Sequence, residues 1–146
     1  MTHISDIAYV LFLVSNIQKA REFYCEKLGL TVSASSYQGA WLEFDIGHGT
    51  LVVTNRLSEL GGRPGSAGAV VALEVSDLDE VKLRLLKHDI AWRVGPVDAK
   101  FCRGGIVEDP DGNRIMFHQR KSQAPNKAPE PTTMAVTPRA ISRISE

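Results

Sequence analysis

The chain has no excess of either charge: 17 Lys and Arg stand against 17 Asp and Glu, for a formal net charge of zero. A surface with no net field gives nucleic acid or an anionic membrane nothing to recognise by bulk charge, so neither is expected as a partner. No apolar run approaches the roughly 20 residues that span a bilayer. The stretch from Met1 to Asp6 is polar and lacks the apolar core of a signal peptide, which makes the cytoplasm the expected location. Cysteine is scarce. Cys25 and Cys102 lie far apart in the sequence and fit neither a disulfide framework nor a CxxC site, so both are expected as reduced thiols. Nothing near Cys25 in sequence would activate it as a nucleophile. What remains is an ordinary globular composition, 43% hydrophobic and 23% charged, large enough for a real core.

The most informative stretch is Glu108-Asp109-Pro110-Asp111-Gly112-Asn113-Arg114-Ile115-Met116-Phe117. It reads as a strand end, a tight turn and a new strand, because Pro110 presets a turn dihedral and Asp111, Gly112 and Asn113 tolerate left-handed backbone. Upstream, 7–14 is a β-branched and aromatic run of strand length. Asn16 is a good helix N-cap, Ile17, Ala20, Tyr24 and Leu28 follow at helical spacing, and Gly29 closes the helix. Strands are predicted over 31–36, 40–45 and 50–55, with Gly39 and Gly47-His48-Gly49 as turns, then a Gly-rich linker over 57–68.

The pattern then restarts, with a strand over 70–75 and a helix capped by Asp77 that carries Leu78, Val81, Leu85 and Leu86. Strands over 91–97, up to Glu108 and over 113–119 close the set. Val14-Ser15-Asn16-Ile17 aligns with Val75-Ser76-Asp77-Leu78 at an offset of 61, and Gly49-Thr50-Leu51-Val52 aligns with Asn113-Arg114-Ile115-Met116 at an offset of 64. One small indel separates the two offsets. The repeat predicts an α+β domain over 1–120, built from two βαβββ modules at about 5–56 and 68–119. After it, 121–146 holds four of the seven prolines among Ala, Thr, Ser and Asn. Such a tail is expected to be flexible, since it has too little apolar surface to offset its ordering entropy. Ile141 and Ile144 are spaced for at most one helical turn there.

The two modules, the text Asn16-Ile17-Gln18-Lys19-Ala20-Arg21-Glu22-Phe23-Tyr24 with Leu28-Gly29-Leu30, and Asp109-Pro110-Asp111-Gly112-Asn113 together resemble the vicinal oxygen chelate superfamily. That superfamily includes glyoxalase I, bleomycin-resistance proteins, fosfomycin-resistance enzymes and extradiol dioxygenases. Trp41-Leu42-Glu43-Phe44-Asp45 followed by Thr50-Leu51-Val52-Val53 is similar to its small single-domain group. The Pro-rich tail resembles tails read through into the recombination sites of mobile gene cassettes. The resemblance implies a curved mixed sheet around a cleft, and a two-fold homodimer with clefts near or across the interface.

It also implies where a metal would sit, because each module of the metal-dependent members supplies two ligands. The matching positions here are Tyr9, Val52, Val70 and Met116. A hard divalent cation takes imidazole or carboxylate, not two valines and a thioether, so neither a metal nor any other cofactor is expected. A one-residue slip of alignment brings in only Ala or larger apolar residues.

Strand alternation places Tyr9 and Leu11 opposite to Val10 and Phe12, and Val70, Ala72 and Glu74 opposite to Val71 and Leu73. Val52, Thr54, Met116 and His118 join the first set. In the superfamily this face lines the cleft, which here would be apolar and aromatic with a few polar groups. Trp41, Trp92 and Phe101 are candidate stacking walls. Glu43, Glu74, Tyr9 and His118 are candidate polar contacts, and Arg103 is a candidate partner of Glu74 or of an anionic ligand. Each has a plainer structural role open to it: core packing for Tyr9, solvation for His118 and His48, ion pairing for the glutamates. Two functional readings follow. One is a metal-free protein that sequesters a planar or cationic compound such as an antibiotic. The other is an enzyme of the glyoxalase, dioxygenase or thiol-transferase kind, using metal or acid/base groups.

Overall fold

The computed structural model describes residues 6–65 and 68–121. The expected flexible tail and its helical turn lie outside the described residues. Two four-stranded mixed sheets form, each from one module. The first joins β1 (Val10–Leu13), β2 (Val32–Ser36), β3 (Trp41–Ile46) and β4 (Gly49–Thr54) in the order β1-β4-β3-β2. The second joins β5 (Val70–Glu74), β6 (Val94–Asp98), β7 (Cys102–Glu108) and β8 (Arg114–Arg120) in the order β5-β8-β7-β6. In each, the first strand runs parallel to the last and the other neighbours are antiparallel. The repeat read from sequence is therefore a repeat of topology.

Helix α1 (Ile17–Arg21) begins where Asn16 predicts: its side chain accepts from the N–H groups of Gln18 and Lys19, each at 3.0 Å. It runs on as a π-helical segment, Glu22–Lys27, with the Leu28 N–H bonded back to the Phe23 carbonyl. The wider turn lets the adjacent Phe23 and Tyr24 both face the core. Helix α3 (Leu78–Lys87) is capped by Asp77 and buries Leu78 and Leu85. Leu86, expected on that stripe, is 74% exposed, since it lies about 100° around the helix from Leu85. The linker contains a short helix that the glycine pattern did not announce, α2 (Leu57–Leu60). The first strand starts at Val10, and Ile7 is exposed. No helix among the described residues is long and apolar enough to cross a membrane.

One core joins the modules. Phe12, Val14, Tyr24, Leu42, Phe44 and Val53 of the first pack in the same cluster as Leu78, Leu85, Val107, Ile115 and Phe117 of the second. At its edge sits the buried Asp109 carboxylate, and its donors are complete. It accepts from the Tyr24 hydroxyl at 2.8 Å, from the Asp111 and Asn113 N–H groups at 2.9 and 2.8 Å, and from the Asn113 carboxamide at 2.8 Å. The same carboxamide donates to the Leu13 carbonyl at 3.0 Å, while Asp111 accepts from the N–H and hydroxyl of Ser15. The β7–β8 turn is thus fastened to the end of β1 and to the first helix across about 100 residues of sequence.

Burial first, then the adjacent Asp109 charge and hydrogen bond, push the Tyr24 phenol well above the ordinary tyrosine value. Because the folded value is raised, the stability the neutral phenol contributes is complete below about pH 10 and is lost as pH rises beyond it. Tyr24→Phe is expected to cost about 1–3 kcal/mol, the loss of one hydrogen bond to a buried charge, and to flatten the alkaline limb of stability against pH. Denaturant melts from pH 7 to 11 check both. Ultraviolet titration of the folded protein should withhold one of its three tyrosines until unfolding.

Candidate functional site

Register decides which side chains share a face. In the first sheet Leu11 stands opposite Val52 and Val52 opposite Glu43, while Leu13 stands opposite Thr54 and Thr54 opposite Trp41. These residues form the face away from the helix. Part of it is closed. Gly62, in the loop after α2, lies directly against Leu13. Thr54 is fully buried, donates its hydroxyl to the Ala40 carbonyl at 2.6 Å and accepts from the Arg56 N–H, so it is closed to a ligand. Val52 is fully buried among its neighbours.

Beside this closed part, in the row of Thr54, Trp41 gathers two exposed rings, Tyr9 and Tyr37. Tyr9 meets Trp41 edge-on with centroids 5.9 Å apart, and Tyr37 meets the same indole at 6.2 Å. Tyr9 stands nearly perpendicular to the indole, at 84°, and Tyr37 is inclined at 60°, so aromatic faces of the kind that attract planar and cationic groups are clustered there. The Trp41 indole N–H donates to Glu43 at 2.9 Å, which fixes both side chains. The Arg56 guanidinium lies 3.6 Å over the Tyr37 ring. Tyr37 and Arg56 escaped the sequence reading. Their signal was the Tyr37-Gln38-Gly39 turn beside Trp41, where Tyr37 and Gln38 hold left-handed φ values of 53° and 56°. Non-glycine residues adopt that region at a cost, which makes the turn a position worth testing.

In the second sheet Val70 stands opposite Arg114, Ala72 opposite Met116 and Glu74 opposite His118. His118 donates from Nδ1 to Glu74 at 2.6 Å, and the Arg120 N–H donates to the other carboxylate oxygen at 2.8 Å. Partial burial works to raise the Glu74 carboxyl, but the His118 bond, the Arg120 N–H and their charges outweigh it and hold it below the usual range. Glu74 is therefore engaged within the protein, and Glu43 is the carboxylate beside the rings.

Three expected contacts lie elsewhere. Trp92 packs edge-on against Phe117 and closes over Gly105 on the helix-covered side of the sheet. Arg103 pairs with Asp79 of α3 at 2.8 Å and with Asp98 at 3.9 Å, not with Glu74. Phe101 sits in the β6–β7 turn with the Lys100 ammonium 5.2 Å from its ring. His48 is exposed in its glycine turn. Burial raises the Cys25 thiol, with Glu26 adding to it and Arg21 opposing, so it is not poised as a nucleophile.

The positions that the resemblance assigns to a divalent ion carry Tyr9, Val52, Val70 and Met116. Two valines cannot ligate and a thioether is a soft donor. Among the described residues no three His, Cys, Asp or Glu side chains gather where an ion would be held. The donor set does not fit the metal.

Comparison with known proteins agrees with this architecture. The profile of the glyoxalase/bleomycin resistance protein/dioxygenase superfamily matches residues 6–117. TnmS3, an antibiotic binding protein from Streptomyces sp. CB03234, is similar at 27% identity and a TM-score of 0.67, covering 83% of this chain and all of that one. A glyoxalase/bleomycin resistance protein from the same organism is similar at 28% identity and a TM-score of 0.65, covering 78% of this chain and all of its own. A glyoxalase/dioxygenase from Nostoc punctiforme, at 20% identity and a TM-score of 0.66 over 80% of this chain and 92% of its own, shares the fold. No curated protein sequence matches. The chain belongs to the glyoxalase/bleomycin resistance protein/dioxygenase superfamily.

Proposed function

We propose that the protein binds a small planar or cationic molecule without metal and sequesters it unchanged. The observation that carries this reading is the open aromatic corner, in which Trp41 is flanked by Tyr9 and Tyr37 with Glu43 bonded alongside. Indole and phenol faces attract flat rings and cations, and a carboxylate beside them favours positive charge. The likeness to an antibiotic binding protein supports an antibiotic as the cargo. Leu11 extends the apolar floor next to this corner. Ala72, Met116 and His118, on the matching face of the second module, complete a cleft in the homodimer. A cytoplasmic location suits such a sink.

One pair favours a second reading. Glu74 and His118 form a hydrogen-bonded carboxylate–imidazole couple able to move a proton, as an acid/base enzyme requires. Mass spectrometry of ligand recovered after prolonged incubation separates the two: a sequestering protein returns it unaltered, an enzyme does not.

With N-methylquinolinium as a planar cationic probe, Glu43→Gln is expected to weaken calorimetric affinity by about tenfold, the worth of a charge-assisted contact of about 1.5 kcal/mol. Trp41→Ala should weaken it at least as much, and Glu74→Gln should change it little. Equal losses in Glu43→Gln and Glu74→Gln would place the cation elsewhere. Chelator-stripped protein titrated with Ni, Mn, Fe, Co or Zn ions should melt at an unchanged temperature. A true site at a hundredfold excess over its dissociation constant would add about 2.7 kcal/mol, several degrees for a domain of this size.

A further inference from the structure

The two modules repeat in backbone but not in the side chains that fasten them. At an offset of 64, Asp45, Gly47 and Gly49 stand where Asp109, Asp111 and Asn113 stand in the second module; at an offset of 61, Leu85 stands for Tyr24 and Glu74 for Leu13. At the first junction the Val14 N–H donates to Thr54, so the groups of Leu13 point to the edge of β1 that β4 leaves unused. There the Asn113 carboxamide meets the Leu13 carbonyl. At the second junction the Val75 N–H donates to His118, which likewise turns the Glu74 carbonyl to the free edge of β5.

Among the described residues no side chain equivalent to Asn113 arrives to meet it. Gly47 and Gly49 have no side chains, and the exposed Asp45 accepts from the Thr50 hydroxyl instead. What remains is a cavity of about 380 Å³, walled by Val10, Leu51, Val71 and Leu73 and floored by Gly47 and Gly49. Its size falls in the range of small-molecule pockets, about 300–1,000 Å³. Among the described lining residues Glu74 is the ionisable one, and its carboxylate is already taken by His118 and the Arg120 N–H. The described lining therefore offers apolar walls and a strand-edge carbonyl, with its one carboxylate already engaged.

We infer that this junction is a second ligand site, separate from the Trp41 face, for a compact neutral ring compound carrying one hydrogen-bond donor. The apolar ring fills the space that Asp109 and Asn113 fill at the other junction, and the donor meets the Glu74 carbonyl as the Asn113 carboxamide meets Leu13.

The test is ¹³C-methyl NMR of the full chain titrated with 2-naphthol, a neutral bicyclic ring with one hydroxyl donor. Saturable shifts are expected at the methyls of Val10, Leu51, Val71 and Leu73, and not at Leu11. Gly49→Asn restores a carboxamide at the matching place. A Cβ there meets only the Ile46 carbonyl, at 3.7 Å, an ordinary contact. That variant should weaken 2-naphthol at least tenfold, and Val10→Phe, which narrows the mouth from its exposed side, should do the same if the first variant folds poorly. Trp41→Ala should leave the affinity unchanged. The inference is overturned if no saturable shift appears up to the solubility limit. Shifts confined to the Trp41 face, or full affinity in the folded cavity-filling variants, would overturn it equally.

Discussion

The fold turns on one buried carboxylate. Asp109 is an expensive group to bury, and it is stable there because four donors meet it, one from the first module and three from its own turn. Those donors are not interchangeable parts of a surface network. Tyr24 reaches Asp109 because a π-helical turn swings it inward beside Phe23, and Asn113 reaches Leu13 because the β7–β8 turn is tight. Remove the Tyr24 hydroxyl and the buried charge loses one of its four donors. Sheet placement, and with it the two faces turned away from the helices, follows from this fastening.

Much of this was legible in the sequence. The offset of 61 between Asn16 and Asp77 announced the repeat, and each residue does cap its helix. Period-two alternation predicted a shared face for Leu11 with Val52, for Ala72 with Met116 and for Glu74 with His118, and the strand register stands each pair opposite one another. Trp92 and Arg103 were expected at the cleft without support from alternation, and the structure puts them elsewhere. Trp92 precedes β6, which begins at Val94, so strand alternation does not reach it, and Arg103 is claimed by Asp79 on a helix distant in sequence. Tyr37 and Arg56 were invisible for a related reason. Their stacking depends on a left-handed turn and a post-strand loop meeting in space, and no periodicity encodes that.

The departure from a metal centre and the asymmetry of the two junctions have one physical theme, the replacement of polar side chains by apolar ones or by none. Val52, Val70 and Met116 occupy ligand positions, and Gly47 and Gly49 occupy the places of an aspartate and an asparagine. Each change exchanges a directed polar contact for apolar surface or open space. The proposed binding function rests on the aromatic corner and needs no metal.

Trp41 emission tests this most directly. In a Trp92→Phe variant Trp41 is the only tryptophan, and N-methylquinolinium quenches indole on contact. A saturable quench with the same dissociation constant as calorimetry gives, together with protection of Trp41 from acrylamide, is the predicted result. Calorimetric binding that leaves Trp41 emission and acrylamide access unchanged would contradict the account, because the ligand would then lie away from the face on which the proposed function rests.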